Sequence, residues 1–296
     1  MENRKYRNNN ISGFTLIELL ITMAIASIVV AASYMMFASQ QRTYVVQDQV
    51  VAMHQNLRSA MYLTSNQVRM AGCDFQGIGG LGITNVEMRD TNNNIALIGV
   101  NANGAVTFTH DDDADGAMNT TSFSIYDFPV ASPDGILDLA IEQNGGGRQL
   151  LAENIVAMGM AFAFDSDGDG ELDTDPVSNE IIWAVDSDRD NALDLNLDTN
   201  QDGTIDWNDG PGRVENDIIG GVAITPVTDL SLIRAVRIWI LARTERIDDR
   251  FVNNNTYVVG HRVITPLPPP PNPNLNTSDD HLHMELMETT VRLRNF

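Results

Sequence analysis

Three stretches between residues 165 and 209 set oxygen-bearing side chains at a spacing that could hold a cation. Asp165, Asp167, Asp169 and Asp173 surround Gly168 and Gly170; Asp186, Asp188, Asp190 and Asp194 repeat the spacing; Asp198, Asn200, Asp202, Gly203, Asp206 and Asp209 repeat it again. Oxygens at loop positions 1, 3, 5, 9 and 12, a backbone carbonyl at 7 and a sharp turn at 6 wrap one calcium ion. The third stretch meets every position. Its Thr204 offers the carbonyl, Ile205 an apolar plug and Asp209 the terminal carboxylate, one methylene shorter than the usual Glu. The second has Asn191 at the turn, which asparagine tolerates because it reaches left-handed backbone conformations, but Leu197 at position 12 cannot ligate. The first has Pro176 there, so in both a neighbouring loop or water must complete the shell. A fainter copy is spelled by Asp111, Asp113, Asp115, Gly116 and Asn119. Calcium is therefore the expected cofactor, and magnesium fits less well because it resists dehydration into an all-protein cage.

The charge balance supports a local cation. The 296-residue chain carries 18 Lys plus Arg against 40 Asp plus Glu, a formal charge of −22. Residues 165–217 hold 17 of those acids and only two bases, Arg189 and Arg213, so this window contributes −15. A whole-surface adaptation would spread its carboxylates along the chain. Close carboxylates repel by about 1 kcal/mol per pair even in water, so an ordered loop of this composition calls for a counter-ion. The same balance excludes nucleic acid as a partner, since phosphate binding depends on clustered cations.

Other chemistry-bearing motifs are weaker. Gly77, Gly79 and Gly82 satisfy a dinucleotide-type spacing but follow a helix rather than a strand, which predicts a loop. His281 and His283 lack a third ligand and read as exposed loop histidines, and the lone Cys73 reads as a small buried residue that cannot form an internal disulfide. No nucleophile motif, phosphate loop or paired-carboxylate signature is evident, so no enzyme is expected.

The elements that must position the acidic loops begin with a helix. Arg4, Lys5 and Arg7 precede Gly13, after which Phe14–Ala38 is a 25-residue apolar run whose only charge is Glu18. Such a helix is long enough to cross a bilayer of roughly 30 Å, and it is too long for a secretory signal peptide. A carboxylate within lipid needs a neutralising partner. Beyond Ala38, Val46, Val50, Met53, Leu57, Ala60, Met61, Thr64 and Val68 recur at spacings of three and four, one face of a helix continuing to Ala71. After Gly72 come runs rich in Val, Ile, Thr and aromatics: residues 105–110, 122–128, 136–142, 155–164, 181–185, 234–243, 257–264 and 284–294. Turn residues separate them, which predicts a mostly antiparallel sheet. Pro268–Pro271 reads as a stiff spacer.

Gly13-Phe14-Thr15-Leu16-Ile17-Glu18 and the apolar helix after it resemble the type IV pilin superfamily. Arg69-Met70-Ala71-Gly72, Leu151-Ala152-Glu153-Asn154-Ile155, Arg234-Ala235-Val236-Arg237, Ala242-Arg243-Thr244-Glu245 and Thr290-Val291-Arg292-Leu293-Arg294-Asn295 look like minor pilins of the PilW type. The resemblance implies an α+β protein with a leader (1–13) cut by a prepilin peptidase after Gly13 and methylation of Phe14. It further implies a transmembrane helix (14–41), an amphipathic helix (42–72) and a β-rich periplasmic head (73–296). In the family the glutamate corresponding to Glu18 is thought to pair with a neighbouring subunit's terminal amine. Inner-membrane residence, assembly with other minor and major pilins, priming of pilus assembly, a place at or near the filament tip and a candidate PilY-type adhesin partner follow from the same resemblance. A minor pseudopilin of type II secretion and a calcium-dependent adhesin on a plain membrane anchor remain alternatives. The acidic window (165–217) reads as an insertion in the head, which also carries a Pro/Asn-rich loop (267–283), and calcium in the window rests on ligand spacing alone.

Overall fold

The computed structural model describes residues 14–89, 95–96, 103–111, 115–128, 136–188, 190–198, 205, 208, 222–266 and 279–294. Its first element is a single helix, α1 (Leu16–Arg69, 54 residues). No Gly or Pro interrupts it, and Thr15 with Glu18 forms a capping box at its start. The Thr15 amide donates to the Glu18 carboxylate at 2.9 Å and the Glu18 amide reaches Thr15 Oγ1 at 3.4 Å. The helix ends two residues before the expected Ala71, where Gly72 takes a left-handed φ of 76°.

The chain divides into two compact units, residues 1–48 and 49–296. In the first, α1 has one 18-residue window of mean hydropathy 2.3, long and apolar enough to cross a membrane, and none of that window is buried. In the second, α1 buries a stripe of Met53, Leu57, Ala60, Met61, Thr64 and Val68, the face that the three-and-four spacing picks out.

Fourteen strands follow among the described residues: β1 (Ile83–Arg89), β2 (Ile95–Ala96), β3 (Asn103–His110), β4 (Asn119–Asp127), β5 (Leu137–Gln143), β6 (Arg148–Ala152), β7 (Ile155–Phe164), β8 (Ala184–Val185), β9 (Ala192–Asn196), β10 (Val222–Asp229), β11 (Ile233–Arg243), β12 (Tyr257–Val259), β13 (Arg262–Ile264) and β14 (Met284–Arg292). They form two six-stranded antiparallel sheets, ordered β2-β1-β3-β4-β5-β6 and β10-β9-β8-β7-β11-β14, and a separate β12–β13 hairpin. The fold is thus α+β, a long N-terminal helix whose second part packs on antiparallel β-sheet. The expectation of one sheet is corrected to two. The change of sheet occurs at Glu153–Asn154, where Asn154 takes φ 61° between β6 and β7.

Alternation along β7 and β11 explains why the second sheet lies inside the protein. Met158, Met160, Phe162 and Phe164, with Val236, Ile238 and Ile240, join the helix stripe and Val106, Phe108, Phe123, Ile125 and Leu139 of the first sheet in one core. The intervening Ala157, Ala161 and Ala163, with Ala235, Trp239 and Leu241, pack on the other face against Trp183, Val185, Leu197, Ile205, Tyr257 and Val259. Backbones meet closely on that face. A Cβ at Gly159 would lie 2.7 Å from the Gly260 nitrogen, so only glycine fits where the hairpin crosses β7.

Candidate metal centre

The acidic loops grow directly from this second sheet. β7 ends at Phe164 and leads into Asp165; β8 ends at Val185 and leads into Asp186; β9 leads through Leu197 into Asp198. Because β8 is antiparallel to both neighbours, Asp165 and Asp198 leave the sheet in one direction and Asp186 in the other. Each of these first aspartates is buried, at 3%, 4% and 4% exposure for Asp165, Asp186 and Asp198.

Within the first loop Asp165, Asp167 and Asp173 bring ligand oxygens within 4.8 Å of one another, and Asp186, Asp188 and Asp194 do the same in the second. The local wiring is shared. Asp165 accepts the amides of Gly168 and Gly170 at 2.7 and 3.1 Å, and Asp186 accepts that of Asn191 at 3.0 Å. Asp173 accepts the amide and hydroxyl of Ser166, just as Asp194 accepts those of Ser187. Gly170 and Asn191 both adopt positive φ, 88° and 66°, the sharp turn expected at position 6. Asp169 and Asp190 fall outside the two triads; their carboxylates take the amides of Glu171 and Ala192.

Sequence spacing missed Ser166 and Ser187, because hydroxyls at position 2 are not calcium ligands in the usual pattern. The signal was nevertheless present, as Asp-Ser-Asp opens both loops. Leu197 and Ile205 do what their apolar character demands and lie in the core at 0% and 5% exposure. Of the remaining third-loop residues, Asn200, Asp202, Thr204, Asp206 and Asp209 lie outside the described residues, as do Gly13, Asp113 and the Pro268–Pro271 spacer.

Chemically the two triads are hard, anionic oxygen donors with a partly buried root. Their like charges are costly to hold together without a cation, and the donor set suits calcium rather than a metal that prefers nitrogen or sulfur. Just after the first triad, Asp175 is held below its ordinary carboxylate range by the amides of Ser178 and Val177, which fixes the chain that returns toward β8.

The other motifs resolve plainly. Gly77, Gly79 and Gly82 lie in a loop, where Asp74 accepts the amides of Ile78 and Gly79. The expectation of exposed loop histidines is corrected: His281 donates to the Phe251 carbonyl, and His283 stacks on the Phe251 ring with centroids 3.8 Å apart, 3.4 Å from Asp248. Cys73 is buried.

At the N-terminus, Phe14 is exposed at the start of α1, and the Glu18 carboxylate also accepts the Thr15 hydroxyl at 2.8 Å. Residues 8–34 match the prokaryotic N-terminal methylation motif. This prepilin-type motif covers Gly13, Phe14 and Glu18. The chain has no match among curated proteins. It is similar to a type IV-like pilin from Thermus thermophilus, at 11% identity and a TM-score of 0.38, over 81% of this chain and 96% of that one.

Proposed function

We propose that the protein is a minor type IV pilin of the PilW type, made in the inner membrane with its head in the periplasm. It primes pilus assembly, sits at or near the filament tip, and carries calcium-stabilised loops on its head. The observation that carries this reading is the methylation motif at the start of a helix whose apolar 18-residue window has no buried residue among those described. The bare apolar part supplies the membrane anchor and, after cleavage by prepilin peptidase, the surface that meets other minor and major pilins. A PilY-type adhesin is the candidate tip partner. The minor pseudopilin of type II secretion shares this helix and is the second reading, favoured by the same motif. Intact mass of membrane-extracted protein should show a chain beginning at methylated Phe14. A chain retaining Arg4 to Gly13 in cells with active peptidase refutes the assignment, and recovery of the mature chain in sheared pili separates pilus from secretion system.

The acidic loops are proposed as calcium sites that order the head. The ligands are Asp165, Asp167, Asp169 and Asp173 in the first, Asp186, Asp188, Asp190 and Asp194 in the second, and Asp198, Asn200, Asp202, Thr204, Asp206 and Asp209 in the third. A ligand bound only by the folded state stabilises by about 2.7 kcal/mol at a hundredfold excess over its Kd. Melting of the detergent-solubilised mature chain should therefore rise with calcium, rise less with equal magnesium, and fall back on chelation. An Asp165→Asn, Asp186→Asn double variant should lose most of that gain if these two loops carry it.

A further inference from the structure

Outside the acidic window, the turn between β3 and β4 holds a carboxylate with no partner among the described residues. Asp111 follows β3 directly, has 0% exposure, and neither of its carboxylate oxygens meets a hydrogen-bond donor among the described residues. A carboxylate stripped of water must find a donor, an opposite charge or a proton. Its backbone neighbour is a second acid: Asp111 forms a parallel bridge with Asp74, and its amide donates to the Cys73 carbonyl at 2.7 Å. Asp74 keeps its own carboxylate on the amides of Ile78 and Gly79, at 2.9 and 2.8 Å, so it brings further negative charge to this end of the sheet.

The described part of the turn follows the plan of the two acidic-window loops. A buried aspartate directly after a strand stands at position 1 in all three: Asp111, Asp165 and Asp186. Position 6 is left-handed in all three, with φ 78° at Gly116, 88° at Gly170 and 66° at Asn191. At position 5 the Asp115 carboxylate accepts the position-7 amide of Ala117 at 2.7 Å, as Asp169 accepts Glu171 and Asp190 accepts Ala192. Position 9 is Asn119, the first residue of β4, whose Oδ1 accepts Asn144 Nδ2 at 2.9 Å and keeps a second lone pair. One difference decides the matter. Asp165 and Asp186 spend oxygens on loop amides, whereas Asp111 spends neither.

We propose that the β3–β4 turn is a further divalent-cation site, rooted on Asp111 and completed by oxygens of Asp115 and Asn119. An all-oxygen set of two carboxylates and an amide selects a hard cation of calcium type. The site belongs to the first sheet, so it would brace the part of the head that the acidic window does not reach. Only the identity of the ion is borrowed from the acidic-window reading; the unpartnered carboxylate stands without it.

Native mass spectrometry of the detergent-solubilised mature chain, titrated with calcium chloride, counts the ions. Asp111→Asn, close to isosteric, should bind one calcium fewer than the wild type. Asp165→Asn with Asp186→Asn should retain an ion that disappears when Asp111→Asn is added. Asp115→Asn changes an exposed residue and serves if Asp111→Asn fails to fold; it should lower occupancy of that same ion. An unchanged count in Asp111→Asn, with a melting temperature above the wild type's, means that the carboxyl holds a proton and overturns the proposal. A count that falls only with the acidic-window variants sinks this site alone, and one that falls only with Asp111→Asn or Asp115→Asn sinks the acidic-window reading instead.

Discussion

The two parts of α1 are one unbroken helix placed in two different surroundings. Between residues 16 and 48, Leu16, Ile17, Leu19, Leu20, Ile21, Met23, Ile25, Ile28, Val29 and Val30 are all exposed, distributed around every face. Between residues 49 and 69, burial is confined to the stripe from Met53 to Val68, with Tyr62 and Leu63 left outside it. A helix apolar on all sides is built for a surround that is apolar on all sides, while a stripe is built for one wall. The second part has its wall in this chain, the core shared with both sheets. The first part has no such wall among the described residues; in the proposed reading its surround is lipid or other subunits, and the methylation motif over residues 8–34 overlaps that part.

The comparison breaks most visibly under paired truncations. Leu57 has 0% exposure among Val106, Phe108 and the β7 methionines of the shared core. Leu57→Ala should cost the head about 3 kcal/mol, since a buried leucine loses both its transfer energy and the packing around it. Ile25→Ala, at 57% exposure in the first part, should leave the denaturant midpoint of the head unchanged. Urea unfolding of the two variants in detergent, followed by the near-ultraviolet signal of Trp183 and Trp239, gives both numbers. Equal losses would mean that the first part is also held by the head.

The parts of the fold that were legible from sequence are those in which one pattern dominated. The helix stripe followed its spacing, and β7 and β11 were plain because Ile155–Phe164 and Ile233–Arg243 are near-continuous apolar runs, as a strand buried on both faces requires. Strands carrying mixed messages were missed. β6 opens with Arg148-Gln149 and is exposed for most of its length, β10 contains Pro226, and β9 hides inside the acidic window, where Asp194 was read as a ligand while Leu193 and Leu195 went unread as a strand. The convergence of the two acidic triads was legible because the spacing of their aspartates is a local property. The second sheet was not, because its separation from the first depends on two residues, Glu153 and Asn154, and on which side chains meet across the core. Asp111 shows the same limit from the other side: its place in the repeated spacing was visible, and its burial without a partner was not.

A smaller effect, of opposite sign, sharpens the contrast within the stripe. Thr64 is wholly buried, and its hydroxyl has no hydrogen-bond partner among the described residues. Burying an unsatisfied hydroxyl costs about 1 to 3 kcal/mol, whereas threonine and valine have the same shape and nearly the same helix propensity. Thr64→Val should therefore stabilise the head by about 1 kcal/mol, read as a higher denaturant midpoint at unchanged slope. A loss of stability would show that the hydroxyl is satisfied by a group or water that the stripe admits.

At the far end of the first part, Glu18 should have no effect on the head's stability and a clear one on assembly. Two physical roles compete for it. The structure has it closing a capping box with Thr15, which satisfies orphan amides of its own helix. The proposed pilin role needs its charge, to meet the terminal amine of a neighbouring subunit in an apolar surround where a lone carboxylate is unfavourable. Alanine removes both roles and cannot tell them apart; glutamine keeps the capping box and discards the charge. If assembly depends on the charge, Glu18→Gln should be as poorly incorporated into sheared filaments as Glu18→Ala, with both variants processed at Phe14 and accumulating in the membrane. If glutamine restores incorporation, the carboxylate serves its own helix, and the apolar first part must recruit its neighbours by packing alone.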